Sequence, residues 1–76
     1  MNELLEILHE INPATEFKGR TDLVDSGDLD SMSLVMLVSE LNDEFDITIR
    51  VTDITPENFN STENIMQLIH RLQSED

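Results

Sequence analysis

The sequence predicts an all-α fold, a bundle of three long helices and one short helix with a long first loop. Apolar residues recur at helical spacing in three separate segments, so three helices have faces that can cover one another. Residues that favour helix N-termini stand directly before the second and third of these segments. Because the chain has only 76 residues, we expect a single domain over residues 1–76 with a small core.

The first helix is predicted over residues 2–12, where Leu4, Leu8 and Ile11 repeat at helical spacing until an Asn-Pro pair ends the pattern. A connection of about 18 residues follows, over residues 13–30. Connections of this length without secondary structure are uncommon in small domains, so this one should be functional or tied to the core. Four apolar side chains could tether it: Phe17, Leu23, Val24 and Leu29.

Two further long helices and one short helix are predicted in the rest of the chain. The second covers residues 31–44 and the last covers residues 62–73, while a Thr-Pro-Glu sequence predicts a short helical turn over residues 56–59. The core is expected to contain the apolar stripes of the two long helices, represented by Leu34, Leu37, Leu41, Phe45, Ile65 and Ile69.

Residues 45–51 carry a different pattern, because apolar and polar residues alternate with the period of a half-buried strand. No second alternating segment exists to pair with it, and a single strand is not stable alone. We therefore expect an extended connector that inserts alternate side chains beneath the helices, namely those of Phe45, Ile47, Ile49 and Val51.

The composition excludes several classes of function. Four Lys and Arg residues against 17 Asp and Glu residues give a net charge of −13, which disfavours binding to nucleic acids or anionic membranes and favours basic protein surfaces as partners. No apolar segment is long enough to insert into a membrane, and we expect a cytoplasmic protein. With no Cys, and only His9 and His70 able to titrate near neutral pH, the chain offers few groups for catalysis.

The most informative segment is residues 27–32, Gly-Asp-Leu-Asp-Ser-Met. A glycine permits a tight turn, Leu29 can anchor the end of the loop, and Asp30 with Ser31 then opens a helix. A phosphate ester on the Ser31 hydroxyl would lie at the positive end of the helix dipole, which stabilises it by about 0.3–1 kcal/mol. Ordinary helix capping by Asp30 and Ser31 would account for the same residues.

This segment resembles the attachment site of acyl carrier proteins. The resemblance extends along the whole chain, through its size and acidity, its long first loop, Phe-Asp-Ile at 45–47, Thr-Pro-Glu-Asn-Phe at 55–59 and Ser-Thr-Glu-Asn-Ile at 61–65. It implies an acyl-carrier-protein-like four-helix bundle, free-standing and without catalytic activity of its own. A separate phosphopantetheinyl transferase would add a 4′-phosphopantetheine arm from coenzyme A to Ser31. The thiol of the arm would then carry acyl or aminoacyl groups as thioesters.

The resemblance also implies roles for residues near Ser31. Asp30 would help the transferase to engage the site. Enzymes that load or accept the cargo would present basic surfaces and dock, on a monomeric carrier, against a face formed by Met32, Val35, Met36, Ser39 and Asp43.

Three interpretations of the cargo and function follow. The first is a carrier for fatty-acid, polyketide or related biosynthesis. The alternative is a D-alanyl or aminoacyl carrier of cell-wall or peptide pathways, because Met32 stands where the family most often has Leu and members with Met there include D-alanyl carriers. Fatty-acid carriers are also strongly acidic directly after the serine, whereas acids return in this helix only at Glu40, Asp43 and Glu44. A more distant alternative is an acidic helical adaptor that bears no prosthetic group.

Other chemistries fit the sequence less well. In the acidic segment 22–30 neither the glycine nor the glutamate of a calcium-binding EF-hand falls in register, so no specific metal site is expected, although loose binding of divalent cations remains open. A serine hydrolase would need a Gly-x-Ser-x-Gly turn, and Ser31 does not lie in one.

Overall fold

The structure, a computed structural model, describes residues 2–74 and contains four α-helices and no strand in this range. The helices are α1 (Asn2–Ile11), α2 (Ser31–Phe45), α3 (Pro56–Phe59) and α4 (Thr62–Gln73), with a 3₁₀ turn (Val51–Asp53) before α3. The predicted all-α bundle of three long helices and one short helix is confirmed. The predicted boundaries differ by one residue at the ends of α1 and α2 and agree for α3 and α4.

Three of the helices begin at the side chains that the sequence marked as caps. Asp30, Thr55 and Ser61 all have extended backbones, and each side-chain oxygen accepts the amide three residues on, at 2.9, 3.3 and 3.0 Å respectively. These bonds satisfy amides that have no partner within the helix. At the other end of α2, Asp46 adopts a left-handed conformation with φ of 54°, and its amide donates to the carbonyl of Asn42.

The core lies where α1 packs against α2 and α4 and where α3 covers α4. Four of the predicted core residues are buried, whereas Leu34 and Phe45 are only half-buried. These two residues lie in the first and last turns of α2, where fewer neighbours surround a side chain. The buried apolar residues are Leu4, Ile7, Leu8, Phe17, Leu23, Leu29, Leu37, Leu41, Ile47, Ile49, Phe59, Ile65, Leu68 and Ile69.

The connector after α2 follows the predicted alternation only in part. Ile47 and Ile49 are buried, but the prediction that Val51 also inserts is wrong, because Val51 is 85% exposed. The chain leaves its extended path at Val51 and enters the 3₁₀ turn, so the alternation stops there. The amide of Ile49 donates to the Asn42 side chain at 2.9 Å, which ties the connector to α2 without a second strand.

The long first loop is tied to the core as predicted. Phe17, Leu23 and Leu29 are buried and Val24 packs half-buried against them. Gly27 has a φ of +88°, a conformation that favours glycine, and it lets the chain reverse before Leu29 returns to the core. Within residues 2–74, no helix combines the length and the apolar character needed to cross a membrane.

Candidate functional site

Ser31 is the first residue of α2 and its side chain is exposed. Asp30, not Ser31, caps the helix, because an Asp30 carboxylate oxygen accepts the amide of Ser33 at 2.9 Å. Within residues 2–74, the Ser31 hydroxyl makes no hydrogen bond. The capping role that could have explained both residues is therefore filled by Asp30, and the serine oxygen remains open to solvent and to a partner.

The charge state of Asp30 follows from the same geometry. The backbone amide of Ser33, assisted by that of Met32, stabilises the carboxylate and lowers the pKa of Asp30 below its ordinary value. Asp30 is therefore an anion at neutral pH directly beside the Ser31 hydroxyl. Because like charges repel, Asp30 cannot attract a phosphate to Ser31, and its carboxylate faces outwards to whatever approaches the helix.

The predicted docking residues all lie on the surface. Met32, Val35 and Met36 are 77%, 68% and 50% exposed, which is unusual for large apolar side chains, and Ser39 and Asp43 are exposed as well. The three apolar side chains and Ser31 line an open depression of about 280 Å³. A second groove of about 370 Å³ continues from it between α1 and α2, lined by Glu10, Ile11, Val35, Met36, Ser39 and Glu40.

Charge is distributed unevenly along α2. Residues 31–39 contain no ionisable side chain, and the acids Glu40, Asp43 and Glu44 occupy the second half of the helix. The surface next to Ser31 is therefore apolar, and negative charge flanks it on the Asp30 side and further along the helix. A partner that fits this surface needs an apolar centre and basic residues at its edge.

The acidic loop before Ser31 contains a contact that sequence reasoning missed. Arg20 lies outside the segment 22–30, yet its Nε donates to Asp22 at 2.9 Å and its Nη2 donates to Asp28 at 2.8 Å and to Ser26 at 3.2 Å. These interactions raise the pKa of the Arg20 guanidinium, with Asp22 as the largest cause. The sequence feature that could have indicated this contact is an arginine two residues before a segment that holds four aspartates.

Arg20 also bears on whether this acidic loop could bind a metal cation. The Ser26 hydroxyl, and to a lesser extent the Arg20 guanidinium, hold the pKa of Asp28 below its usual range. This carboxylate is therefore already paired with a guanidinium and hydrogen-bonded by a hydroxyl. Among residues 2–74, no three acidic or histidine side chains converge in a way that could hold a metal ion. The loop is therefore organised by its own arginine.

Within residues 2–74, the depression beside Ser31 is lined by no acidic or histidine side chain, and the neighbouring Asp30 carboxylate is engaged as the cap of α2. The depression is lined by Ser31, Met32, Val35 and Met36 alone, and His9 and His70 are exposed on α1 and α4. The Ser31 hydroxyl is exposed at a helix start beside an apolar surface, which is a position where a covalently attached group would be accommodated. Among the described residues, the Ser31 hydroxyl is not hydrogen-bonded to a base, as the nucleophile of a hydrolytic centre would be.

Comparison with known protein families shows which family the chain belongs to. The family described as "Phosphopantetheine attachment site" matches residues 2–72, so the chain belongs to this family of carrier proteins. Its cofactor is a covalently attached 4′-phosphopantetheine, and catalysis lies with the enzymes that work with the carrier. The residues at the start of α2 fit such a group, since the Ser31 hydroxyl is exposed and the depression beside it is open.

Similar proteins are carriers of aminoacyl groups by name. The D-alanyl carrier protein of Streptococcus mutans is 40% identical over 53 residues, which cover 70% of this chain and 67% of that protein. The D-alanyl carrier protein of Lactobacillus delbrueckii subsp. bulgaricus is 29% identical over 76 residues, covering 97% and 94%. Aminoacyl carrier protein 1 of Bradyrhizobium diazoefficiens is 40% identical over 63 residues, covering 83% and 69%. No solved structure matches the chain.

Proposed function

We propose that Ser31 is the residue that bears the 4′-phosphopantetheine and that residues 1–76 act as one carrier domain. The observation that carries this proposal is the exposed, unbonded Ser31 hydroxyl at the first position of α2, where Asp30 already supplies the cap. A phosphate ester at this position is stabilised by the helix dipole by about 0.3–1 kcal/mol. The chain has no Cys, so the terminal thiol of the arm supplies the thioester chemistry that no side chain can supply.

The loading reaction is a phosphoryl transfer in which the carrier supplies only the nucleophile. A bond forms between the Ser31 Oγ and the phosphorus that bears pantetheine, while the pyrophosphate bond of coenzyme A breaks. Adenosine 3′,5′-bisphosphate leaves, and the hydroxyl proton passes to a base of the transferase. Besides Ser31 itself, the depression is lined by apolar side chains, and Asp30 is engaged as the helix cap, so we propose that the base belongs to the separate transferase. The Asp30 carboxylate, held ionised by helix amides, is proposed to be recognised by the transferase.

The partners are proposed to dock on the surface of α2 next to Ser31. Met32, Val35 and Met36 supply the apolar centre, and Ser39 and Asp43 continue the same exposed surface toward the acidic half of the helix. Basic residues of a partner would meet those acids and the acidic loop, which accelerates encounter at low salt. The net charge of −13 opposes self-association, so we propose a monomer that works in the cytoplasm with the transferase and with loading and accepting enzymes.

For the cargo, we propose an aminoacyl group such as D-alanyl. The support is that the three relatives reported above are aminoacyl carriers by name, and that Met32 follows the serine. A fatty acyl or polyketide cargo would use the same serine and the same arm, so the site alone does not separate the two. The cargo is identified by isolating the protein from its native cells, measuring its intact mass, and releasing the thioester with hydroxylamine. Release of an aminoacyl hydroxamate supports this proposal, and release of a fatty acyl hydroxamate contradicts it.

The attachment itself is tested by intact-mass measurement after incubation with coenzyme A and a transferase of broad specificity. Wild type should gain one phosphopantetheine increment, Ser31→Ala should gain none, and the matched control Ser33→Ala should gain one. An increment that persists in Ser31→Ala would refute the assignment of Ser31. No increment in any of the three proteins would favour the acidic adaptor without a prosthetic group.

A further inference from the structure

The loop of residues 23–29 is closed at its ends and leads directly into Ser31. The amide of Leu29 donates to the carbonyl of Leu23 at 2.9 Å, and both side chains are buried, at 1% and 0% exposure. One residue, Asp30, separates this closed loop from Ser31. Because only one residue intervenes, a displacement of the loop would also displace the start of α2 and Ser31 with it.

Arg20 binds this loop through its guanidinium. Its guanidinium joins Asp22, before the loop, to Asp28 and Ser26, near the end of the loop, over distances of 2.8 to 3.2 Å. The Ser26 hydroxyl donates to Asp28 at 3.0 Å, and the Thr15 hydroxyl reaches the other oxygen of Asp28 at 3.4 Å. A guanidinium suits this position because its planar fork can bind several oxygens at once, which the ammonium of lysine cannot do in the same geometry.

Asn60 holds the same loop from a segment 35 or more residues further along the chain. This residue follows the last turn of α3, and its side-chain oxygen accepts the amides of Val24 at 2.9 Å and Asp25 at 3.1 Å. Its side-chain nitrogen donates to the Asp25 carboxylate at 3.2 Å, and its backbone carbonyl accepts the amide of Leu23 at 2.9 Å. The loop is thus fixed between one arginine and one asparagine.

We propose that Arg20 and Asn60 are positioning residues for the loading of Ser31. This inference rests on the proposed function, in which Ser31 receives the phosphopantetheine. The two residues hold the 23–29 loop so that the transferase meets the Ser31 hydroxyl and the Asp30 carboxylate in one arrangement. Neither residue lines the depression beside Ser31, so both act through the loop.

The physical reason is that a change in the loop affects the position of the Ser31 hydroxyl more than it affects the stability of the fold. The Arg20 side chain is 34% exposed and the carboxylates of Asp22 and Asp28 are 55% and 30% exposed, so these ion pairs are largely screened and add little to stability. Without Arg20, however, the aspartates of the loop repel one another with no cation between them. Because phosphoryl transfer requires a close alignment of nucleophile and phosphorus, a small displacement of the hydroxyl slows it strongly.

The experiment compares the loading kinetics of Arg20→Gln with those of Lys18→Gln, using coenzyme A and the same transferase. Both variants lose one positive charge from the first loop, but within residues 2–74 Lys18 makes no ion pair. Arg20→Gln should lower kcat/KM about tenfold, with part of the loss in kcat, since the bound serine is misplaced. Lys18→Gln should stay within about twofold of wild type. Arg20→Lys should recover only part of the loss, because the ammonium keeps the charge but not the fork.

Two further variants separate positioning from loss of folding. Asp28→Asn should slow loading as Arg20→Gln does, and the double variant should be no slower than the slower single variant, because both remove one contact. Asn60→Ala should also slow loading by about tenfold. All rates are divided by the folded fraction, measured by circular dichroism at the assay temperature. Variants that load at the wild-type rate after this correction would overturn the inference alone. A wild-type protein that is not modified at Ser31 would refute the proposed attachment site and the inference with it.

Discussion

The exposed valine of α2 permits a quantitative test of the docking surface. Val35 and Val51 are 68% and 85% exposed, yet only Val35 lines the depression beside Ser31. Replacing Val35 with Ala removes two methyl groups, each worth about 0.8 kcal/mol when buried. Since 68% of the side chain is available to a partner, the loss on docking is about 1.1 kcal/mol, which corresponds to a change of about sixfold.

The assay is the loading of phosphopantetheine by the transferase, with Val51→Ala as the matched control. Val35→Ala should lower kcat/KM about sixfold, mostly through KM, because docking is weakened while the serine keeps its place. Val51→Ala should leave kcat/KM unchanged. Both variants should keep their free energy of unfolding within about 0.5 kcal/mol of wild type, since neither side chain is buried.

Two results would refute this reasoning. Equal effects of the two substitutions would mean that the apolar surface next to Ser31 is not the docking centre. An unchanged kcat/KM in Val35→Ala, together with a strong loss when Asp43 is replaced by Asn, would mean that docking depends on charge and not on apolar contact.

Three further predictions concern Asp30, which caps α2, Ser61, which caps α4, and Asp28 in the acidic loop. Asp30→Asn should keep the stability of the fold, because Asn caps a helix as well as Asp does. It should slow loading about tenfold or more in transferase assays, because the transferase is proposed to recognise the carboxylate. Unchanged loading would show that Asp30 does not have that role. Since Ser61 caps α4, Ser61→Ala should lower the free energy of unfolding by about 1 kcal/mol in denaturant titrations. It should leave the loading of the folded protein unaffected, and slowed loading would contradict this. The pKa of Asp28 is lowered in the folded state, so its contribution to stability is complete above about pH 4 and is lost as the pH falls through the folded-state pKa. The stability difference between wild type and Asp28→Asn should therefore be small, present at about pH 6 and reduced as the pH falls below about 4, and a difference that grew at low pH would contradict the assignment.

The local elements of the fold could be predicted because their causes lie within a few residues. The caps at Asp30, Thr55 and Ser61 each use an amide three residues away, and the apolar stripes repeat within single helices. These short-range patterns gave the helix boundaries to within one residue. Ser31 was a candidate for the same reason, since a helix start and an exposed hydroxyl are both local properties.

The contacts that hold the loop before Ser31 could not be predicted in the same way. The Asn60 side chain binds the amides of Val24 and Asp25, which lie 36 and 35 residues away in the chain. No periodicity or spacing indicates such a contact, because it depends on how α3 packs against the rest of the bundle. The position of Val51 was missed for a related reason, since a 3₁₀ turn there overrides the alternating pattern.

The central claim is most directly tested by locating the modified residue within a peptide. The lysine and arginine positions place Ser31 in a tryptic peptide of residues 21–50, which also contains Ser26, Ser33 and Ser39. Fragmentation of this peptide from the loaded protein should place the phosphopantetheine increment between Asp30 and Met32. An increment on any other serine, or outside this peptide, would contradict the account.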